Sequence, residues 1–339
     1  MKTHVGVDLH QRFCYCVALD ASGKLIASAP VVNQQEALRH WIGKLPAPRQ
    51  VVMEACGFWP AFARAVSPVA ERLVMVHPLR VKAIASAKLK NDRVDATTLA
   101  HLSRCDLLPE AWMAPWAVQE RRLTVRRRRE LGQKRAAFKN LLQSVLHQQG
   151  LIKPCTDVFG KRGRAWLAEV EMSPAARAAV DGHLRVIATL DEEIRLLERE
   201  LKTIAASDER ARWLMTMPGV GAYSALMVLA EIGDVARFAN QRALVNYAGL
   251  APRVRESAGK AKRGHISRQG SEHLRWIMVQ AAQIAARCSP PVKAAYLRLK
   301  LRKPPQVAIT IIARKLLTCA WALLRHGVCF DPEVFMRAN

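Results

Sequence analysis

Thr3-His4-Val5-Gly6-Val7-Asp8-Leu9 is an apolar, strand-like run interrupted by one carboxylate, Asp8. Phe13-Cys14-Tyr15-Cys16-Val17-Ala18-Leu19 follows as a second strand. Asp20-Ala21-Ser22-Gly23 then supplies a turn before Lys24-Leu25-Ile26-Ala27, which makes a three-stranded meander. A polar start at Asn33-Gln34-Gln35-Glu36 opens a helix with Leu38, Trp41 and Ile42 on one face. Val51-Val52-Met53-Glu54 is a buried strand, followed by a helix around Pro60 to Val66 and a strand at Leu73-Val74-Met75-Val76. The order βββαβαβ, meander first and crossovers after, is the ribonuclease-H topology, an α/β mixed sheet.

The 339 residues suffice for two or three domains, and the balance of 50% hydrophobic and 24% charged residues excludes disorder and a fibrous architecture. No stretch approaches about 18 uninterrupted apolar residues, so no membrane span is expected. Met1-Lys2-Thr3-His4-Val5 runs straight into the first strand without a signal-peptide core. The eight cysteines contain no C-x-x-C pair, and Cys14-x-Cys16 lies on one strand face. Reduced thiols in the cytosol are expected, without a zinc site or a disulfide framework.

Charge is the strongest compositional signal. Lys and Arg number 53 against 28 Asp and Glu, a net +25, which makes nucleic acid the default partner. With only 6% aromatic residues, a surface that grips the backbone is expected rather than a stacking platform for unpaired bases.

Three regions are expected, 1–108, 109–210 and 211–339. The second and third are mostly α-helical. Arg126-Arg127-Arg128-Arg129 makes the middle region a cationic rod, since four consecutive residues cannot share one helical face. After a Ser173-Pro174 helix start, Ile187, Leu190, Ile194, Leu197, Leu201 and Ile204 recur at coiled-coil spacing. Both a hairpin closing on the same chain and a dimer contact satisfy that seam.

Three constellations carry chemistry. In the acid-poor first region Asp8 lies inside a buried strand, Glu54 ends another, and Asp92 and Asp95 stand three apart. Converging carboxylates need a cation, and a Mg²⁺ pair that clamps the oxygens of a phosphodiester meets that need. Met217-Pro218-Gly219-Val220-Gly221 resembles the hairpin of a helix-hairpin-helix element, with Gly219 and Gly221 letting backbone amides hold a phosphate; an ordinary turn between packed helices is the other reading. From Arg253 to Arg275 there are seven cations and two acids, in a glycine-containing segment expected to be a flexible loop. Arg253, Arg255, Lys260, Lys262 and Arg263 are candidate phosphate contacts around Ser257. That serine is either a nucleophile or a solvated phosphate contact.

Taken together the motifs resemble the DEDD transposases of the IS-one-ten insertion-sequence family, bridge-RNA-guided serine recombinases. The matching pieces are Gly6-Val7-Asp8, Met53-Glu54-Ala55-Cys56-Gly57, Asn91-Asp92-Arg93-Val94-Asp95-Ala96, Pro218-Gly219-Val220-Gly221, Tyr247-Ala248-Gly249-Leu250-Ala251-Pro252-Arg253, Glu256-Ser257, and Ser267-Arg268-Gln269-Gly270 leading into Leu274-Arg275. They occur in the family's order along nearly the whole chain. The resemblance implies a RuvC-like domain whose metal-binding quartet is Asp8, Glu54, Asp92 and Asp95. It further implies a coiled-coil region and a C-terminal transposase domain with Ser257 as nucleophile.

A phosphoserine intermediate, Mg²⁺, double-stranded DNA at the element ends and target, and a structured guide RNA come with it. So do a homo-oligomer, dimeric and then tetrameric in the active complex, and a prokaryotic, nucleoid-associated location. The family often has glycine directly after the serine, whereas Ala258 precedes Gly259 here. Two other readings stay open on the residues alone: a RuvC-like metal-dependent junction nuclease, and a non-catalytic nucleic-acid-binding protein using the hairpin and the rod, Arg126 to Arg129.

Overall fold

The computed structural model describes residues 2–85, 91–257 and 260–337. It comprises two compact units, Met1–Ala114 and Pro115–Asn339. In the first, β1 (Thr3–Leu9), β2 (Phe13–Leu19) and β3 (Leu25–Val32) form the expected antiparallel meander. α1 (Gln35–Gly43) crosses to β4 (Arg49–Glu54), parallel to β1, and α2 (Trp59–Val66) crosses to β5 (Arg72–Val76), parallel to β4. α3 (Pro78–Ile84), α4 (Asp92–Arg104) and a two-residue β6 (Glu110–Ala111), antiparallel to β5, complete the unit. The sheet is mixed and ordered β3-β2-β1-β4-β5-β6. Pairing of β6 on β5 ties residues 110 and 111 to this sheet, so the unit extends past the boundary expected at 108.

Strand alternation divides the sheet into two faces. Val5, Val7 and Leu9 of β1, with Val51 and Met53 of β4, pack beneath α1 and α2. The intervening His4, Gly6 and Asp8, with Gln50, Val52 and Glu54, fall on the opposite face, where α4 lies. There Val52 joins Leu99 and Leu102, and Ala96 and Ala100 meet Val17 and Leu19 of β2. α4 approaches β1 so closely that a Cβ on Gly6 would stand 1.9 Å from the Ala96 carbonyl oxygen.

At its far end α4 is fastened by Ser103, which shares a 2.8 Å hydrogen bond with His4 Nδ1 and accepts a 3.1 Å bond from Gln50 Nε2. All three are buried. Ser103→Ala strands two buried polar side chains and is expected to lower the unit's stability by about 1–3 kcal/mol, measured by urea unfolding.

The second unit is helical apart from one ribbon. α5 (Trp116–Gln148) and α7 (Pro174–Ser207) form an antiparallel hairpin, with α6 (Lys161–Glu169) packed at its tip. Ser173 caps α7 as expected, its Oγ accepting from the Ala176 amide. Ile187, Ile194, Leu197 and Leu201 are buried in this arrangement, so the heptad seam closes on the chain's own α5. α8 (Glu209–Met215), α9 (Ala222–Ile232), α10 (Gln241–Tyr247), β7 (Pro252–Ser257), β8 (Lys260–Ile266), α11 (Glu272–Cys288), α12 (Pro290–Lys300), α13 (Pro305–His326) and α14 (Pro332–Arg337) follow. Leu226, Ile277, Met278, Ile312 and Leu316 lie at the centre of a core that also takes in Val125 of α5 and Leu201 of α7. Residues 109–210 and 211–339, expected as separate regions, therefore share one core from α5 onward.

Among the described residues α13 alone is long and apolar enough to cross a membrane. It packs on α10 and α11 and buries Ile312, Leu316, Leu317 and Leu323, which accounts for its composition as core.

Candidate functional site

The acid site is built at the ends of neighbouring strands. Val7 of β1 is in register with Met53 of β4, so Asp8 and Glu54 are the next positions on two adjacent parallel strands. Alternation puts both on the face that α4 covers. α4 begins at that point because Asn91 caps it, its Oδ1 accepting from the Val94 amide at 2.9 Å, and Asp92 and Asp95 fill its first turn, where the helix dipole favours negative charge.

His10 completes the group. Its Nε2 lies 3.1 Å from Asp8 Oδ2 and 3.3 Å from Asp92 Oδ2, and one ligand atom from each residue lies within 4.8 Å of the others. Burial pushes the Asp8 carboxyl above its ordinary range. The positive influence of His10 opposes this, and the charges of Asp92 and Asp95 add to it. Two carboxylates and an imidazole converging where further negative charge has accumulated fit a divalent cation. Glu54 and Asp95 flank this tight trio without belonging to it.

In the second unit the described residues on either side of Ala258 and Gly259 are strands, where a loop was expected from the glycines. They form a two-stranded antiparallel ribbon in which Arg255 pairs with Lys262, Glu256 with Ala261 and Ser257 with Lys260. Its strands, PRVRES and KAKRGHI, are rich in charge and carry no hydrophobic alternation for a sequence reading to detect. Ser257, Arg255, Lys260, Lys262 and Arg263 are placed on it by their main chain. Ala258 and Gly259 lie outside the described residues.

The base of the ribbon is clamped. Amides of Ser267, Arg268 and Ser271 donate to the carbonyls of Ala251, Gly249 and Tyr247, and Arg275 Nη1 donates to the Ala248 and Arg268 carbonyls. Gly270 (φ +119°) lies so close to Tyr247 that a Cβ would meet the Tyr247 carbonyl oxygen at 2.1 Å. Arg253, exposed at the ribbon's foot, donates to the Ser267 carbonyl at 3.2 Å.

Comparison with known proteins separates these two places along the chain. A family model described as a transposase, of the DEDD IS110 type, matches residues 5–150, and one described as the transposase IS116/IS110/IS902 family matches residues 211–297. The chain belongs to the IS110 family of transposases. This IS110-family chain is 27% identical to a probable family 20 transposase of Pseudomonas aeruginosa, over 97% of this chain and 99% of the relative. It is 26% identical to the transposase for insertion sequence element IS1111A of Coxiella burnetii, over 94% and 89%. It is also 27% identical to the pilin gene-inverting protein of Moraxella bovis, over 84% and 82%.

The arginine run of this transposase is not the free rod that its sequence predicts. Arg126 forms a bidentate pair with Glu231 at 2.8 and 3.0 Å. Arg127 meets Glu193, and Arg128 meets Glu198 while lying over the Tyr223 ring. Arg129 is buried between Glu272, His273 and the face of Trp276. Four acids distant in sequence thus pair with all four guanidinium groups within the unit, Arg127 keeping 56% of its side chain exposed.

Gly219 is likewise explained by packing. It adopts φ +79°, and a Cβ there would meet the Ala281 carbonyl oxygen of α11 at 2.2 Å. Gly221 is the exposed residue before α9, with open space where a Cβ would point.

Two residues escaped the sequence reading. His10 has the signal Asp8-x-His10, an imidazole two positions beyond a strand carboxylate. Glu231 has a partial signal, as the one acid within an otherwise apolar helix, but its partner Arg126 is remote in sequence.

Proposed function

We propose that this chain recombines double-stranded DNA at the ends and target of an insertion sequence. Ser257 is the nucleophile, and Asp8, Glu54, Asp92 and Asp95 form a Mg²⁺-binding set that His10 orients. The observation that carries this reading is the convergence of Asp8, His10 and Asp92 at one strand end, in a chain whose two family matches cover both the acid cluster and the serine ribbon.

The Ser257 hydroxyl oxygen attacks a backbone phosphorus. A serine–phosphorus bond forms, the bond to one sugar oxygen breaks, and the serine proton ends on that sugar oxygen. Attack by a sugar hydroxyl from the other strand reverses these steps and frees the serine. Bond energy is conserved throughout, so no nucleotide hydrolysis is required. A bound divalent cation supplies neutralisation of the charge developing on the phosphate. Asp8 and Asp92 hold the cation and His10 fixes their carboxylates. The ribbon cations Arg255, Lys260, Lys262 and Arg263 bind the phosphate, and Arg253 at the ribbon's foot supports it.

The net charge and scarcity of aromatic side chains support a protein that grips backbone and leaves sequence choice to a paired structured RNA. The reading further takes the active form to be a homo-oligomer. The pilin gene-inverting relative, whose name describes inversion of DNA, favours recombination over simple hydrolysis.

Incubation of the protein with a supercoiled donor–target plasmid and the element's flanking RNA is expected to give a covalent protein–DNA species on a denaturing gel. Ser257→Ala should abolish both adduct and recombinant, whereas normal recombination by that variant would overturn the serine mechanism. Asp8→Asn, or chelation of divalent cations, should likewise abolish recombinants while the fold persists by circular dichroism.

A further inference from the structure

From His273 to Phe330 the sequence contains no Asp or Glu, yet it carries Lys293, Arg298, Lys300, Arg302, Lys303, Arg314 and Lys315. The structure gathers several of these around the junction of α12 and α13. Arg298 and Lys300 occupy the last turn of α12, Arg302 and Lys303 the connection, and Arg314 and Lys315 the middle of α13. Among the described residues none of them takes part in an ion pair. Lys300 lies over the Tyr296 ring at 5.7 Å and Lys315 over the Phe335 ring at 5.7 Å, contacts that bring no opposite charge.

Burial, and then the charges of Arg298 and Arg314, hold the Lys315 ammonium below its ordinary range. The acids nearest in sequence, Asp331 and Glu333, stand at the start of α14, where Asp331 accepts from the Glu333 amide. The dipole of α12 accounts for Arg298 and Lys300 at its C-terminus, but not for the other four.

The contrast with α5 decides between the two basic regions. Each of Arg126, Arg127, Arg128 and Arg129 has an internal carboxylate. The α12–α13 junction has the uncompensated charge and the exposure, with Arg298, Lys300, Arg302 and Lys303 all open to solvent. We infer that the α12–α13 junction is a docking surface for the phosphate backbone of duplex DNA, with Arg298, Lys300, Arg302 and Lys303 as the contacts. Duplex is favoured over unpaired strand because the Tyr296 ring already faces Lys300, and Phe335, the ring beside Lys315, is buried, which leaves no stacking platform among the described residues. The inference rests on the proposed action on DNA and names the surface that holds the DNA away from the serine.

The test is the salt dependence of affinity of the full-length protein for a duplex DNA oligonucleotide, with a structured RNA of similar length in parallel. The quadruple variant R298Q/K300Q/R302Q/K303Q is expected to lower the log–log salt slope for duplex DNA by about 3 to 4, since each phosphate contact contributes about 0.9. Arg127→Gln, at a paired arginine, should leave the slope unchanged. R298K/R302K keeps the charge and should retain the wild-type slope, which separates lost charge from lost fold. An unchanged slope in the quadruple variant, or a loss confined to RNA, overturns the inference. Wild-type protein that binds no DNA overturns the proposed function itself, a result distinct from either.

Discussion

Replacing Gly6 by alanine is expected to destabilise the first unit by roughly 3 kcal/mol and to cut recombination by about a hundredfold. The new Cβ would stand 1.9 Å from the Ala96 carbonyl oxygen and 2.6 Å from the Ala100 amide nitrogen, both main-chain atoms of α4. No rotamer change relieves a clash with backbone, so the helix must lift from the sheet. Asp92 and Asp95 ride on that helix, while Asp8 and Glu54 stay with their strands. A displacement of the order of 1 Å opens the 3.3 Å contact between His10 and Asp92 and leaves the 3.1 Å contact to Asp8 in place. Two measurements check this: urea unfolding, and metal binding followed by calorimetry with Mn²⁺. The expected signature is weakened metal binding at temperatures where the variant is still folded. Wild-type metal affinity in a folded Gly6→Ala protein would show that α4 has room to spare.

The second large effect is expected from Glu231→Gln. Glu231 is 1% exposed and receives Arg126 at both carboxylate oxygens and the Ser271 hydroxyl at 2.8 Å. Ser271 in turn caps α11 and donates its amide to the Tyr247 carbonyl at the foot of the ribbon. Breaking a buried pair costs about 3–5 kcal/mol, and the lower figure is expected because Arg126 keeps 35% of its side chain in water.

The pH dependence has a definite sign. Burial alone would raise the Glu231 carboxyl. The hydrogen bonds and charge of Arg126, the charge of Arg122 and the Ser271 hydroxyl outweigh it and hold the group below the ordinary glutamate range. A depressed carboxyl contributes stability that is complete above the unfolded value near 4.3 and disappears as pH falls through the folded value. The gap in unfolding free energy between wild type and Glu231→Gln should therefore be constant from pH 5 to 7 and begin to narrow as pH falls below the unfolded value near 4.3. A gap as wide at pH 3 as at pH 5 would mean that shape rather than charge is what the variant loses.

The sheet was legible because its strands alternate or run apolar within short, turn-bounded stretches, and β1, β2, β4 and β5 fall where those patterns put them. β3 ran longer than expected, to Val32, since an edge strand tolerates Pro30 in a way that a central one would not. The carboxylates stood out because charge inside an apolar strand is conspicuous. His10 did not, since it follows the strand where no period operates.

The arginines show the main blind spot. A charge count sees Arg126 to Arg129 but not Glu231, Glu193, Glu198 and Glu272, which only the folded helices bring within reach. The seam of α7 was legible as a seam, while its partner depended on whether α5 folded back upon it.

The stitching of residues 247–251 to 267–271 fixes where the serine-bearing arm departs from its helical platform, through three main-chain hydrogen bonds reinforced by the side chains of Arg253 and Arg275. Beyond Arg253, composition along the two arms is therefore free to drift with little effect on their origin. Length is not. One residue added to or removed from either arm would turn every subsequent residue over to the other side of the pleat. Lineages descending from this sequence should thus accumulate point changes between 252 and 266 far more readily than single-codon insertions or deletions.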